Sequence, residues 1–211
     1  MTPTHANPIP NIITGLRLIA GVIMFLILAG AAPQGVPFLS EYLSPDDQFR
    51  FGRTAFVIFV VAASSDWVDG YLARRWHATT RWGAILDPIA DKILVTGAIL
   101  GVLAWGALPQ IAIPCGLILF REFAVSALRE TVAGKVKLQV TLLAKWKTTL
   151  QLVGLGAELL VASWAAFDMP SDPAIQGPVM IFAHTVLWLA ALVTLITGWQ
   201  YWDQTRKALA A

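Results

Sequence analysis

Hydrophobic positions run along this chain in long unbroken stretches and do not alternate with polar ones. A helix that spans a membrane needs about 20 mostly apolar residues, and six segments meet that requirement. They cover residues 12–30, 54–76, 82–105, 109–131, 143–166 and 178–202. Backbone groups inside a bilayer must bond within their own segment. The pattern therefore predicts an all-α polytopic membrane protein with six transmembrane helices in one domain, residues 1–211.

Breaks between the apolar segments carry the residues that end helices. The segment 31–49 contains Pro33, Pro37 and Pro45, followed by Asp46 and Asp47, which predicts an extramembrane loop. The residues 106–109, Gly-Ala-Leu-Pro, divide a charge-free run that is too long for one span.

Composition narrows the class of protein further. Hydrophobic residues make up 57% of the chain and charged residues 13%, against about 25% charged in soluble domains. An ordinary soluble domain and a disordered chain are both excluded. The net charge of +2 is too small to indicate a nucleic-acid partner. The single cysteine, Cys115, excludes a disulfide framework and a zinc cluster built on cysteines.

The basic residues are distributed unevenly between the two sides predicted for the membrane. Eleven of the fifteen fall on the side of the termini: Arg17, Arg74, Arg75, Arg81, Arg129, Lys135, Lys137, Lys145, Lys147, Arg206 and Lys207. Arg50 and Arg53 fall on the other side, and Lys92 and Arg121 fall inside spans. Because basic residues favour the cytoplasmic side, both termini are predicted to be cytoplasmic.

Four aspartates lie in the second and third apolar segments. One charge at the centre of a membrane helix costs about 2.5–3.5 kcal/mol on insertion scales, so such residues need partners. Asp66 and Asp69 share one helix face, as do Asp87 and Asp91. In an antiparallel hairpin that turns near Ala78, Asp66 is level with Asp91 and Asp69 with Asp87. All four carboxylates are therefore predicted to converge.

Converging carboxylates repel one another unless cations lie between them. Oxygen ligands favour magnesium, calcium or manganese, and divalent ions beside basic residues are typical of phosphoryl chemistry. Two other interpretations remain open at this stage. In the first, the aspartates are structural and are either protonated or paired with Lys92 and Arg74. In the second, they form a path for cations or protons in a transporter.

The spacing of these residues resembles a family signature. It reads Asp66-x2-Asp69-Gly70-x2-Ala73-Arg74-x8-Gly83-x3-Asp87-x3-Asp91. All eight fixed positions match the signature of the CDP-alcohol phosphotransferases. The resemblance implies a six-helix membrane homodimer with a polar cavity open to the cytoplasm. Such an enzyme displaces CMP from a CDP-linked lipid by attack of an alcohol hydroxyl, with two divalent cations (Mg²⁺ or Mn²⁺).

Further segments resemble the family members that make phosphatidylglycerophosphate. They are Ile9-Pro-Asn11-Ile-Ile-Thr14-x2-Arg17, residues 79–92, Arg121-Glu122-Phe with Ala127-Leu-Arg129-Glu130, and Lys145-x-Lys147-Thr148-Thr149-x-Gln151. The resemblance implies CDP-diacylglycerol and glycerol 3-phosphate as substrates, in the cytoplasmic membrane of a bacterium. Inositol phosphate, serine or phosphatidylglycerol is the alternative acceptor.

The resemblance also implies roles at individual positions. The metal ligands are Asp66, Asp69, Asp87 and Asp91, of which Asp91 is also the general base. The residues expected to contact the CDP-lipid are Asn11, Thr14, Gly70, Ala73, Arg74 and Thr80. For Asn11 and Thr14, the equally weighted alternative is that they cap the first helix.

A phosphorylated acceptor needs an anion site of its own. Arg121 and Asp66 each lie about ten residues from the cytoplasmic end of their span, which predicts similar depths at 1.5 Å per residue. Arg121 is therefore expected to bind the acceptor phosphate, and an intramembrane pair with a carboxylate such as Glu158 is the alternative. Arg129, Lys145 and Lys147 form a predicted cationic rim, or alternatively contact anionic lipids.

Overall fold

The computed structural model describes residues 9–32, 42–75, 81–106, 109–132 and 142–210. Within these ranges the regular secondary structure consists of helices, without a strand. The α-helices are α1 (Ile9–Ala31), α2 (Pro45–Arg75), α3 (Arg81–Ala104), α4 (Pro109–Thr131), α5 (Leu142–Ala162) and α6 (Pro173–Ala210). A short 3₁₀ helix, Trp164–Phe167, lies between α5 and α6. The all-helical prediction is confirmed.

Helices α1, α2 and α3 belong to one compact unit, Met1–Gly106 with Ala162–Pro170. Helix α1 packs against both α2 and α3. Its contact with α3 is close because Gly21 has no side chain: a Cβ at this position would lie 3.2 Å from Cα of Leu94. A Cβ on Gly97 would likewise lie 3.0 Å from the carbonyl oxygen of Gly21. Small residues of this kind let membrane helices approach one another.

Helix α2 starts earlier than its apolar segment predicts, at Pro45 and not at Thr54. Ser44 caps it, because the backbone N–H of Asp47 donates to Ser44 Oγ at 3.2 Å and Ser44 Oγ donates to Asp47 Oδ2 at 2.7 Å. Proline is favoured in the first turn of a helix and acidic side chains are stabilising there. The residues 45–49 of the predicted loop are therefore helical, and residues 33–41 lie outside the described ranges.

The second unit comprises Ala107–Val161 and Ser171–Ala211. Helix α4 packs against α6, and α5 approaches α6 at Gly154, where a Cβ would lie 3.2 Å from Cα of Leu187. Helix α6 extends to both sides of the predicted span, over 38 residues. At 1.5 Å per residue this helix is about 57 Å long, well beyond the hydrocarbon core of about 30 Å.

Within the described ranges, four helices are long and apolar enough to cross a membrane. They contain Asn11–Ala31, Pro45–Val68, Gln110–Thr131 and Pro173–Leu209. Helices α3 and α5 have 24 and 21 residues, enough to span. Their charged residues lower their apolar character: Arg81, Asp87, Asp91 and Lys92 on α3, and Lys145, Lys147 and Glu158 on α5. The chain is thus a membrane protein, and the count of six spans stays a prediction.

Candidate active site

Carboxylates of helices α2 and α3 meet at one arginine of helix α1. Nη1 of Arg17 donates to Oδ1 of Asp66 at 2.5 Å and to Oδ1 of Asp91 at 2.6 Å. Because a single nitrogen holds both oxygens, the two carboxylates lie side by side. This is the juxtaposition of Asp66 and Asp91 that the hairpin spacing predicts.

The arginine and the aspartates differ in their access to solvent. The side chain of Arg17 is 0% exposed, whereas those of Asp66 and Asp91 are 46% and 43% exposed. The guanidinium therefore lies on the interior side of the two carboxylates. Their other side remains accessible to a ligand.

Helix α1 contacts a third aspartate one turn before Arg17. Thr14 Oγ1 donates to Oδ1 of Asp87 at 2.7 Å. Thr14 is buried, at 2% exposure. Positions 14 and 17 share one face of α1, and the close approach of Gly21 to α3 holds that face against the aspartates.

Two expectations for helix α1 change as a result. The helix begins at Ile9, so Asn11 and Thr14 lie within it and the capping alternative is wrong. Arg17 was counted among the basic residues of the cytoplasmic side, and the structure places its side chain fully buried within α1, at the aspartates. Among the described side chains, the partner of Asp66 and Asp91 is Arg17. Of the two partners in the structural interpretation, Arg74 has its side chain outside the described part.

For the other residues predicted to bind the CDP-lipid or the metal, the structure gives the position on a helix but not every side chain. Gly70 lies on α2, one turn after Asp66. Three neighbours on α2 have helical backbones, but their side chains lie outside the described part of the structure: Asp69, Ala73 and Arg74. Thr80 falls in the gap between residues 75 and 81.

The donor set suits a divalent cation in its chemistry. Asp66, Asp87 and Asp91 present hard carboxylate oxygens near helix α1, as magnesium and manganese prefer. Among the side chains that the structure describes, no three histidine, cysteine, aspartate or glutamate residues form a group that could hold a metal ion. Asp69, the fourth predicted ligand, is outside that set.

In the second unit, Arg121 of α4 is held by three groups. Its Nε donates to the carbonyl oxygen of Thr194 at 3.2 Å, its Nη2 donates to Thr197 Oγ1 at 2.9 Å, and its Nη1 donates to Glu122 Oε1 at 3.2 Å. Arg121 is 6% exposed. A Cβ on Gly198 would lie 2.9 Å from Cγ of Arg121, so the absence of a side chain there leaves space for the arginine.

Glu122 is shared by two cations. Nζ of Lys147 donates to the same Oε1 atom that accepts from Arg121. Gln151 completes the cluster, because its Nε2 donates to Thr194 Oγ1 at 3.0 Å. Lys147 is buried, at 8% exposure, and its place in a cationic rim around the acceptor stays a prediction. Since two cations face one carboxylate, the group of Arg121, Lys147 and Glu122 carries an excess positive charge.

Arg129 lies two helical turns after Arg121 on α4. Its Nη2 donates to the hydroxyl of Tyr201 at 2.7 Å, and its guanidinium lies 4.8 Å from the centre of the Tyr201 ring. The guanidinium of Arg121 lies 5.6 Å from the same ring. Tyr201 therefore links the two arginines. Lys145 lies in the first turn of α5, but its side chain is outside the described part of the structure.

Glu158 has a different partner from the one considered in the sequence. His184 Nδ1 lies 2.8 Å from Glu158 Oε1, which joins α5 to α6. Arg121 does pair with a carboxylate of the described residues, as the alternative interpretation expected, but that carboxylate belongs to Glu122 and not to Glu158. Cys115 is fully buried within α4.

Two residues of these clusters were missed as functional candidates. Arg17 was counted among the basic residues of the cytoplasmic side and quoted in a motif without a role, although its spacing from Thr14 places both on one helix face. Glu122 was noted as part of a motif but given no role. Its position beside Arg121 in an apolar helix is a signal, because a charge inside a membrane helix needs a partner.

A family model described as CDP-alcohol phosphatidyltransferase matches residues 7–197. The chain belongs to this family. Members of the family generally depend on divalent metal ions. The match includes helices α1 to α5 and most of α6, so both clusters lie inside it.

Three curated relatives carry the name CDP-diacylglycerol–glycerol-3-phosphate 3-phosphatidyltransferase. The protein from Cereibacter sphaeroides is 36% identical, over 95% of this chain and 95% of its own. The one from Rickettsia bellii is 40% identical, over 87% and 94%. The one from Bacillus subtilis is 35% identical, over 72% and 74%. The similarity thus extends over most of each chain.

Proposed function

We propose that the protein transfers the phosphatidyl group of CDP-diacylglycerol to the 1-hydroxyl of glycerol 3-phosphate, giving phosphatidylglycerophosphate and CMP. The observation that carries this proposal is the similarity to relatives of that name along most of their length. The eight signature positions on α2 and α3 support it. Residues 1–211 would act as a single catalytic domain.

Asp66, Asp69, Asp87 and Asp91 are the residues that would hold two divalent cations, Mg²⁺ or Mn²⁺. When bound, these cations neutralise phosphate charge and lower the pKa of a coordinated hydroxyl. Asp91 accepts the proton of the attacking hydroxyl as general base. The hydroxyl oxygen forms a bond to the phosphorus that carries diacylglycerol, and the bond from that phosphorus to CMP breaks.

The CDP-lipid head group would contact Asn11 and Thr14 of α1, Gly70, Ala73 and Arg74 of α2, and Thr80. Gly70 and Ala73 leave room for the ligand, and Arg74 pairs with the diphosphate. The bond from Thr14 to Asp87 gives Thr14 a second task, which is to orient a carboxylate.

The acceptor phosphate would bind at the cationic cluster of Arg121, Arg129, Lys145 and Lys147. The excess positive charge of Arg121 and Lys147 over Glu122 supports a phosphorylated acceptor. Serine lacks the dianionic group that such a site favours. The bonds to Thr194 and Thr197 hold the Arg121 guanidinium in place before the acceptor arrives.

The enzyme would lie in the cytoplasmic membrane of a bacterium as a homodimer, with both termini and the active site facing the cytoplasm. The excess of basic residues on the side of the termini supports this orientation. The lipid tails of the substrate remain in the bilayer, and no nucleic acid is involved.

The decisive experiment identifies the product. Purified protein receives CDP-diacylglycerol, Mg²⁺ or Mn²⁺, and in separate reactions glycerol 3-phosphate, inositol phosphate, serine or phosphatidylglycerol. We expect phosphatidylglycerophosphate and one CMP per lipid product with glycerol 3-phosphate alone. If the protein prefers another acceptor to glycerol 3-phosphate, the acceptor assignment is wrong. If CMP is not released in a metal-dependent way with any acceptor, the whole class of reaction is wrong.

Two variants test the roles of single residues. Asp91→Asn should abolish turnover while CDP-lipid binding is partly retained, and Asp203→Asn is the matched control because Asp203 pairs with Lys207 on the surface. Arg121→Ala should lower kcat/KM for glycerol 3-phosphate by about 30-fold or more with CDP-lipid binding preserved. The exposed Arg206 offers Arg206→Ala as its control. Normal turnover of Asp91→Asn overturns the assignment of the base.

A further inference from the structure

We propose that Arg17 is an internal counter-cation of the aspartate cluster, which holds Asp66 and Asp91 together and moderates how tightly divalent cations bind there. This inference rests on the proposed metal site. Arg17 is neither one of the predicted metal ligands nor one of the predicted CDP-lipid contacts.

The geometry separates Arg17 from the ligands of a metal. One Nη1 atom bonds to one oxygen of each carboxylate, at 2.5 and 2.6 Å. The guanidinium is wholly buried, and the carboxylates keep an accessible side. A cation that approaches from the accessible side therefore meets carboxylates already bonded to a positive charge behind them.

Charge gives the direction of the effect. Carboxylates placed together repel one another, and a buried positive charge between two of them offsets that repulsion. The same charge repels a divalent cation at the cluster. Removal of the positive charge should thus weaken the fold without divalent ions and strengthen the binding of those ions.

Arginine is suited to this position because it remains charged under all working conditions and its planar group bonds to several acceptors. Thr14 reinforces the arrangement without adding charge, since its hydroxyl bonds to Asp87 one turn away on α1. A glutamine in place of Arg17 retains an N–H donor but not the charge. A lysine retains the charge but not the planar group.

The test compares wild type, Arg17→Gln and Arg17→Lys in detergent. Mn²⁺ binding is titrated by electron paramagnetic resonance, and unfolding is followed by circular dichroism with and without Mn²⁺. We expect Arg17→Gln to melt at a lower temperature without Mn²⁺, to bind Mn²⁺ about tenfold more tightly, and to gain more in Tm from Mn²⁺ than wild type does. Arg17→Lys should resemble wild type in Mn²⁺ affinity.

Equal or weaker Mn²⁺ binding by Arg17→Gln, with normal binding by wild type, overturns the role of Arg17 and leaves the metal site intact. If neither protein binds Mn²⁺, the metal site fails and the role of Arg17 fails with it. Should Arg17→Gln not fold, the double variant Arg17→Gln/Asp66→Asn decides, because it restores the balance of charge. Recovery of a cooperative melt in the double variant supports the proposal, and failure to recover refutes it.

Discussion

Thr14 Oγ1 donates a 2.7 Å hydrogen bond to Oδ1 of Asp87, a residue 73 positions further along the chain. A hydrogen bond to a charged group contributes about 1.5–3 kcal/mol. The bond fixes one carboxylate of the hairpin to the first helix. It gives Thr14 a role at the aspartates that differs from direct contact with the CDP-lipid.

Thr14→Val removes this bond at nearly constant volume. We expect kcat to fall about tenfold and the Mn²⁺ concentration for half-maximal activity to rise, with little change in KM for CDP-diacylglycerol. Thr14→Ser keeps the hydroxyl and should remain close to wild type. A rise in KM for CDP-diacylglycerol alone would instead indicate that Thr14 acts on the lipid directly.

Gly21 and Gly15 lie on the same helix but differ in their surroundings. A Cβ at Gly21 would meet the backbone of Leu94 at 3.2 Å, whereas a Cβ at Gly15 would meet nothing within 4 Å. We expect Gly21→Ala to lower Tm by several degrees, because overpacking costs about 1–3 kcal/mol. Gly15→Ala should raise Tm slightly, since alanine favours a helix by about 0.5–1 kcal/mol. Thermal melts followed by circular dichroism compare the two, and equal shifts would refute the close packing of α1 on α3.

Gly198 should control the position of Arg121. The methyl group of Gly198→Ala would lie 2.9 Å from Cγ of Arg121, so the arginine must move. We expect KM for glycerol 3-phosphate to rise several-fold while KM for CDP-diacylglycerol stays constant. Gly177→Ala on the same helix is the control, because its Cβ has open space around it. Steady-state kinetics with each substrate varied in turn measures both constants, and an unchanged KM for glycerol 3-phosphate counts against the acceptor role.

Glu158 and His184 should depend on each other energetically. Their 2.8 Å contact joins two helices, and the side chain of Glu158 is 3% exposed. Loss of either partner leaves a buried polar group unsatisfied, which costs about 1–3 kcal/mol. Glu158→Leu and His184→Leu should each lower Tm, and the double variant should lose less than the two losses combined.

The lone cysteine offers a direct measurement for this pair. Cys115 is fully buried in α4, in the same unit as Glu158 and His184. A thiol-reactive dye therefore reacts as that unit unfolds and reports Tm for each variant. If the loss of Tm in the double variant equals the sum of the two single losses, the contact between Glu158 and His184 adds no stability of its own.

The apolar pattern predicted the helices well wherever a run of hydrophobic residues ended at a helix-breaking residue. Helix α4 has the predicted bounds, and Gly106 closes the turn after α3 at a φ of +83°. The start of α2 was missed because its first turns are polar. Their signal was the sequence Ser44-Pro45-Asp46-Asp47, which is typical of a helix N-terminus and independent of hydrophobicity.

The part of the candidate site that lies within one hairpin was predictable from local spacing, and the part that joins distant helices was not. Spacing within one hairpin places Asp66 beside Asp91, since the turn between them is short. Arg17 comes from a helix whose position relative to the hairpin no local spacing encodes. Its contact depends on glycines 21 and 97, which allow α1 to approach α3. Lys147 and Glu122 likewise meet across 25 residues, between two helices.

The place of Arg17 in the chain has a consequence for biosynthesis. Helix α1 leaves the ribosome before its partners Asp66 and Asp91, which follow 49 and 74 residues later. Until they arrive, an arginine in the first apolar segment costs up to about 2.5–3.5 kcal/mol in the bilayer. The ion pairs that offset this cost therefore form only after the aspartate hairpin has been made, which ties the stability of the first helix in the bilayer to that of α2 and α3.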